Sequence, residues 1–205
     1  MPCKLLIATN NKGKANEYRQ LLAGIDFDLV VLSEVGIGLE VEETGTTMEE
    51  NALLKATAYA RESGLLTLAD DSGLEVDALD GEPGVKSARY AGPHASDTDR
   101  VNYLLSKLEK VPWEKRTAQF RCVIAVSTAA GETALCDGEC RGVIAFEPRG
   151  GRGFGYDPIF FLPELGKTMA EIPDAEKNDI SHRGRAARKV PGLLSKPPFN
   201  CRAGD

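Results

Sequence analysis

The sequence predicts an α/β protein, with a mixed central sheet, flanking helices and two lobes that share a cleft. Three observations carry this. The chain opens with an apolar run, a polar loop, an amphipathic stretch and a second apolar run, the order of a right-handed parallel β-α-β crossover. A well-marked helix between Thr47 and Gly64 then leads directly into another apolar strand. Residues 117–148 instead read as strands around a tight turn, an antiparallel meander. The parallel strands define one lobe and the meander the other. No linker rich in Pro, Gly or Ser separates them, so residues 1–205 are expected to form a single domain with an irregular tail at about 195–205.

Each element has a local reason. "KLLIAT" (Lys4 to Thr9) is a short strand ending at the polar loop "NNKGK", after which Tyr18, Leu21 and Leu22 have helical spacing. "FDLVVL" (Phe27 to Leu32) is the next strand. Thr47 and Glu50 have capping-box spacing, Leu53, Ala56 and Ala60 form an apolar face, and Gly64 stops the helix. "LLTLAD" follows as a strand that ends on the adjacent acids Asp70 and Asp71. Ser96 is an N-cap for a helix that turns Val101, Leu104, Leu105 and Leu108 to the core. The meander is expected as two strands around "AAGE" and then a third. "EKNDISHRGRAARKVPGLL" reads as one final helix, ended or kinked by Pro191.

A chain of 205 residues with 42% hydrophobic composition can bury one substantial core. Acidic residues outnumber basic ones, 31 to 25, giving a net charge of -6. That argues against binding to nucleic acid polymers or anionic membranes, but leaves room for a small anion in a local basic pocket. The N-terminal apolar run is too short for a signal-peptide core or a membrane span, so a soluble cytoplasmic protein is expected. The five scattered cysteines (Cys3, Cys122, Cys136, Cys140, Cys201) read as reduced structural thiols.

Four groups of residues suggest chemistry. "TNNKGK" (Thr9, Asn10, Asn11, Lys12, Gly13, Lys14) lies where a strand hands over to a helix, whose unpaired N–H groups and dipole attract phosphate. It lacks Walker A spacing, and alone it equally describes an ordinary polar turn. Glu40, Glu42 and Glu43 in one loop, with Asp70 and Asp71 in another, offer carboxylates for a hard divalent cation, or else a solvated loop and a turn cap. "RGGRGFGYDP" combines a flexible backbone with Phe154 and Tyr156, which suit a nucleobase face unless they return to the core. Lys177, His182 and Arg183 lie around Ser181, a natural N-cap, and Lys55 lies one helical turn after Asn51. His94 is a loop residue with no assigned role.

In their order along the chain, "TNNKGK", "EETGTTMEENALLKA", "ADDSGLEVDALDGEPGVKSARYAG", "GRGFGYDPIFF" and "EKNDISHRG" resemble the inosine triphosphate pyrophosphatase family. The resemblance spans about residues 4 to 190. It implies a nucleotide-binding cleft and Mg2+-dependent hydrolysis of ITP, dITP and XTP to the nucleoside monophosphate and pyrophosphate. It makes Thr9 to Lys14 the triphosphate turn, with Lys55 a further phosphate contact. It makes Glu42 and Asp71 the Mg2+ ligands, Asp71 the proton acceptor and Ser72 a substrate contact. Phe154, Gly155, Tyr156 and Asp157 are implied to line the base pocket, with Lys177, His182 and Arg183 completing it. A homodimer is implied as well. Two other functions fit the same residues: a nucleotide sensor without turnover, and a pyrophosphatase of other modified nucleotides.

Overall fold

A computed structural model of the chain describes residues 3–200. β1 (Cys3–Ile7), α1 (Lys12–Leu21) and β2 (Phe27–Val31) come first, followed by α2 (Met48–Ser63) and β3 (Leu66–Val76). α3 (Asp97–Lys107) precedes β4 (Thr117–Ser127) and β5 (Thr133–Ile144), and β6 (Phe160–Leu162) and β7 (Lys167–Thr168) complete the strands. α4 (Asp174–Ile180), α5 (His182–Ala187) and α6 (Val190–Leu194) come last. The seven strands form one sheet in the order β2-β1-β3-β4-β5-β6-β7. β1 pairs in parallel with β2 and β3, whereas β6 pairs antiparallel with β5 and β7, so the sheet is mixed as expected.

The helix boundaries follow their caps. Thr47 Oγ1 accepts from the Glu50 N–H at 3.2 Å and the Glu50 carboxylate accepts from the Thr47 N–H, closing the capping box of α2. Gly64, at φ 70°, ends that helix in the left-handed conformation that a Cβ disfavours. Ser96 and Asp99 make the same reciprocal pair at the start of α3.

The chain divides into two compact units, one of residues up to Asp71, Cys122–Gly138 and Arg183 onward, the other of Ser72–Arg121 and Glu139–His182. The dividing points fall inside β3, β4, β5 and α5. The first unit buries Leu5, Ile7, Tyr18, Leu22, Leu68, Ile124, Val126 and Val190. The second buries Leu74, Val76, Val101, Leu104, Leu108, Phe120, Tyr156, Ile159 and Phe160. Among the described residues no helix is long and apolar enough to cross a membrane.

Several expectations are corrected. β3 does not end at the acids but continues through Asp70, Asp71 and Ser72 to Val76, because polar partners in the first unit satisfy both carboxylates. Residues 117–148 form two strands, not three: β5 runs unbroken to Ile144, with Gly142 lying so close to its neighbour that a Cβ would sit 2.6 Å from the Phe161 carbonyl oxygen. The final helix is three short ones. Ser181 adopts an extended backbone between α4 and α5, and Pro191 lies in the first turn of α6, where its missing N–H costs nothing. On α2 the buried stripe is Met48, Ala52, Ala56, Tyr59 and Ala60, while Leu53 is only half-buried. Cys122, Cys136 and Cys140 are buried and outside any disulfide, but Cys3 is disulfide-bonded, contrary to the reading of all the thiols as reduced. Cys201 and the tail beyond Asn200 lie outside the described residues.

Arg116 anchors the second unit from within. It is 2% exposed, and its guanidinium donates to the carbonyls of Leu108, Ile144 and Ala145 at 2.8, 2.8 and 3.0 Å. Arg116→Met strands those acceptors, so urea denaturation should show a loss of about 3 kcal/mol or more. Arg116→Lys should not restore it, since an ammonium lacks the planar fork. A loss below about 1 kcal/mol, the ordinary worth of a single hydrogen bond, contradicts this role.

Candidate active site

The turn between β1 and α1 is shaped by its own side chains. Thr9 Oγ1 accepts from the Asn11 N–H at 3.2 Å, and Asn11 Oδ1 accepts from the Lys14 N–H at 3.0 Å as N-cap of α1. Asn10, Asn11 and Lys12 are exposed, and Thr9, Gly13 and Lys14 are half-buried. An N-terminal helical turn with exposed polar residues is suited to an anion. Lys14 turns inward, its Nζ 2.9 Å from Asp70 Oδ2.

Asp70 is the centre of a buried ion network. Besides Lys14, Arg183 Nη2 lies 3.6 Å from its carboxylate, and Arg183 Nη1 pairs with Glu17 at 2.5 Å. Burial opposes the charge on Asp70, but Lys14, Arg183 and Lys55 outweigh it and hold the carboxyl well below the usual carboxylate range. The buried Tyr18 hydroxyl and Cys122 thiol border the same network.

Asp71, the next residue, has different partners. Its Oδ2 accepts from Asn51 Nδ2 at 3.1 Å, and its Oδ1 lies 3.8 Å from Lys55 Nζ. Lys55 also pairs with Glu43 Oε1 at 2.5 Å. Burial raises the Asp71 carboxyl and the charge of Glu43 raises it further, against the lowering effects of Lys55, Lys14 and Asn51. Burial also works against the Lys55 charge, yet Asp70, Asp71 and Glu43 raise its pKa. The loop carboxylate tied to this centre is therefore Glu43, and Glu42 is exposed.

Other expected residues gather in the second unit. Lys177 Nζ donates to Asp157 Oδ2 at 2.7 Å, and the same oxygen accepts from the Phe154 N–H at 3.0 Å. Lys177 Nζ sits 5.0 Å from the centre of the half-buried Phe154 ring. Gly153, at φ 74°, permits this tight loop: a Cβ there would meet Asp157 Oδ2 at 2.0 Å. The Gly155 N–H donates to Asp97. Tyr156 is a core residue, 4% exposed, with its hydroxyl donating to the Ser87 carbonyl, so the half-buried Phe154 is the more exposed ring of the pair. His182 is buried and stacked on Phe120 at 4.7 Å. Ser72 is half-buried within β3.

Two polar residues at the centre were not singled out by the sequence reading. Asn51 enters the sequence pattern as a neighbour of Lys55, although an amide on the buried stripe of α2 is itself a signal, and Glu17 carries no local cue.

The Ham1 family model matches residues 5–192. The chain belongs to the Ham1 family. Ham1 relatives include the dITP/XTP pyrophosphatase of Geobacter sulfurreducens, 55% identical over 89% of this chain and 92% of that protein. The dITP/XTP pyrophosphatase of Bacillus subtilis is 49% identical over 92% and 96%. A solved Ham1 protein from Coxiella burnetii superposes with a TM-score of 0.86 at 42% identity, covering 94% of this chain and 98% of the other. The resemblance carried by the ordered motifs is thereby borne out, as is the α/β fold.

In this Ham1 chain the depressed Asp70 carboxyl fixes a sign. A group whose folded pKa lies below its unfolded value stabilises above the unfolded value, and loses that contribution as the pH falls through the folded one. Asp70→Asn should therefore lower stability at neutral pH by about 3–5 kcal/mol, the cost of breaking a buried ion pair. The gap to wild type should narrow as the pH drops below about 4. Denaturation series at several pH values measure it, and a gap independent of pH contradicts the network.

Proposed function

We propose that this chain hydrolyses dITP and XTP, and ITP with them, to the nucleoside monophosphate and pyrophosphate, clearing deaminated purines from the nucleotide pool. Relatives about half identical over nearly the whole chain bear the name dITP/XTP pyrophosphatase. The observation that carries the mechanism is the placing of Asp71, a buried carboxylate within reach of Lys55 and held by Asn51.

In this proposal water attacks the α-phosphorus, Asp71 takes its proton, and the bond to the bridging oxygen breaks to release pyrophosphate. The turn from Thr9 to Gly13 holds phosphate oxygens through helix-terminal N–H groups, and Lys12, Lys14 and Lys55 offset the leaving charge. Ion pairs to Asp70 and Glu43 restrain Lys14 and Lys55 before substrate arrives. Glu42 and Asp71 are the proposed Mg2+ ligands. Asp71 suits this role, because Mg2+ is commonly shared between one or two carboxylates and substrate phosphates, and the burial and neighbouring Glu43 charge that burden Asp71 are relieved by a cation; Glu42 is exposed on the same loop as Glu43. When bound, the ion supplies positive charge against the phosphates.

The purine is assigned to the loop around Phe154. The Phe154 ring offers a stacking face worth about 1–3 kcal/mol per base. Ser72, Gly155, Tyr156, Asp157, Lys177, His182 and Arg183 complete the proposed substrate set. Hypoxanthine and xanthine carry a 6-oxo acceptor where adenine carries an amino donor, so donors aimed at that position disfavour adenine by about 1–3 kcal/mol per contact. The proposed assembly is a homodimer and the proposed location the cytoplasm; the reduced thiols of Cys122, Cys136 and Cys140 suit that location, and the Cys3 disulfide runs against it.

A nucleotide panel with pyrophosphate detection tests the reading. Release from dITP and XTP should require Mg2+ and far exceed release from dATP. Asp71→Asn should lower kcat by about 100- to 10,000-fold while substrate still binds. Equal rates with every purine triphosphate, or release of orthophosphate alone, would refute it.

A further inference from the structure

We propose that Asn51 is a positioning residue that locks the acidic loop at 42–45 to Asp71 and so holds the proposed Mg2+ carboxylates in register. The inference rests on the metal-dependent reading above and extends the role of Asn51 from a partner of Asp71 to the anchor of the acidic loop.

Asn51 is fully buried, and both ends of its amide are engaged. Oδ1 accepts from the Gly45 N–H at 2.8 Å, and Nδ2 donates to Asp71 Oδ2 at 3.1 Å. The orientation of the amide follows from chemistry: a backbone N–H can only donate, so the oxygen must face Gly45 and the NH2 group is left for the carboxylate. Lys55, one turn along α2, repeats the arrangement with charge, pairing with Glu43 in the same loop and facing Asp71 Oδ1 at 3.8 Å. Two side chains of one helix face therefore each bridge the loop to the strand acid. Asn51 acts on the oxygen that Lys55 does not face.

Gly45 supplies a separate observation. A Cβ at this position would lie 2.7 Å from Asn51 Oδ1 and 2.7 Å from Glu50 Cβ, so the loop approaches α2 as closely as it does only without a side chain. Its φ is not in the left-handed region, so the requirement is for space. Glu42 lies three residues before Gly45 on the same loop, which gives the anchor its consequence.

Asn51→Asp separates positioning from mere packing. The aspartate keeps an acceptor for the Gly45 N–H and nearly the same shape, but it loses the donor to Asp71 and adds a like charge. Outer partners of metal-binding groups are typically worth 10- to 100-fold in metal affinity or activity. Asn51→Asp should raise the Mg2+ concentration for half-maximal dITP turnover and lower kcat by about that range, leaving the KM for dITP near wild type. Gly45→Ala should move the Mg2+ requirement in the same direction. Calorimetric titration with Mg2+ alone should show the same loss of affinity in both variants, independent of turnover. Failure of wild type to release pyrophosphate from dITP would count against the proposed function, whereas the calorimetric arm judges Asn51 by itself. Wild-type Mg2+ affinity in Asn51→Asp, or in Gly45→Ala if the first variant does not fold, would overturn the inference.

Discussion

Neighbouring carboxylates on one strand repel each other, and β3 holds Asp70 and Asp71 together by giving each its own partners. Successive side chains of a strand point to opposite faces, so the two acids have different nearest partners, while the charges of Lys14 and Lys55 act on both. Asp70 meets Lys14 and Arg183 in a closed ion network. Asp71 meets the Asn51 amide and, at longer range, Lys55. The pKa directions diverge accordingly: one carboxyl is held down by cations despite its burial, and the other is pushed up by burial and a neighbouring acid. A division of labour follows. Asp70 is committed to structure, and Asp71 is the carboxylate proposed to work on a proton.

The surrounding elements are arranged around that division. α1 delivers Lys14 to Asp70 from the helix whose first turn presents Asn11 and Lys12 to solvent. α2 delivers Asn51 and Lys55, which reach both the acidic loop and the strand. A sparsely hydrated interior strengthens each of these pairings and raises the cost of losing one partner. In the second unit Asp157 has a related task, fixing Lys177 and the Phe154 backbone with a single oxygen. In both units a buried carboxylate orders the groups proposed to meet substrate.

What could be read from the sequence was whatever is decided locally. The capping boxes at Thr47 and Ser96, the glycine stop at Gly64 and the strand–turn–helix at Thr9 to Lys14 depend on residues a few positions apart, and they stand as read. The course of β3 could not be read this way, because what lets a strand continue through two acids is supplied by Lys14, Arg183 and Asn51 from other elements. The same holds for Tyr156, which packs in the core with its hydroxyl satisfied by the distant Ser87 carbonyl, and for Glu17, which matters only because Arg183 reaches it. Ser181 was legible as a cap residue, but its extended backbone separating two helices was not.

In the proposed reaction water attacks the α-phosphorus, with Asp71 as its proton acceptor, and the site of attack is the step on which the rest depends. Hydrolysis of dITP in water enriched in oxygen-18, followed by mass spectrometry of both products, tests it directly. The account predicts that the label enters the nucleoside monophosphate and is absent from pyrophosphate. Label found in the pyrophosphate would mean attack at the β-phosphorus and would contradict the assigned geometry.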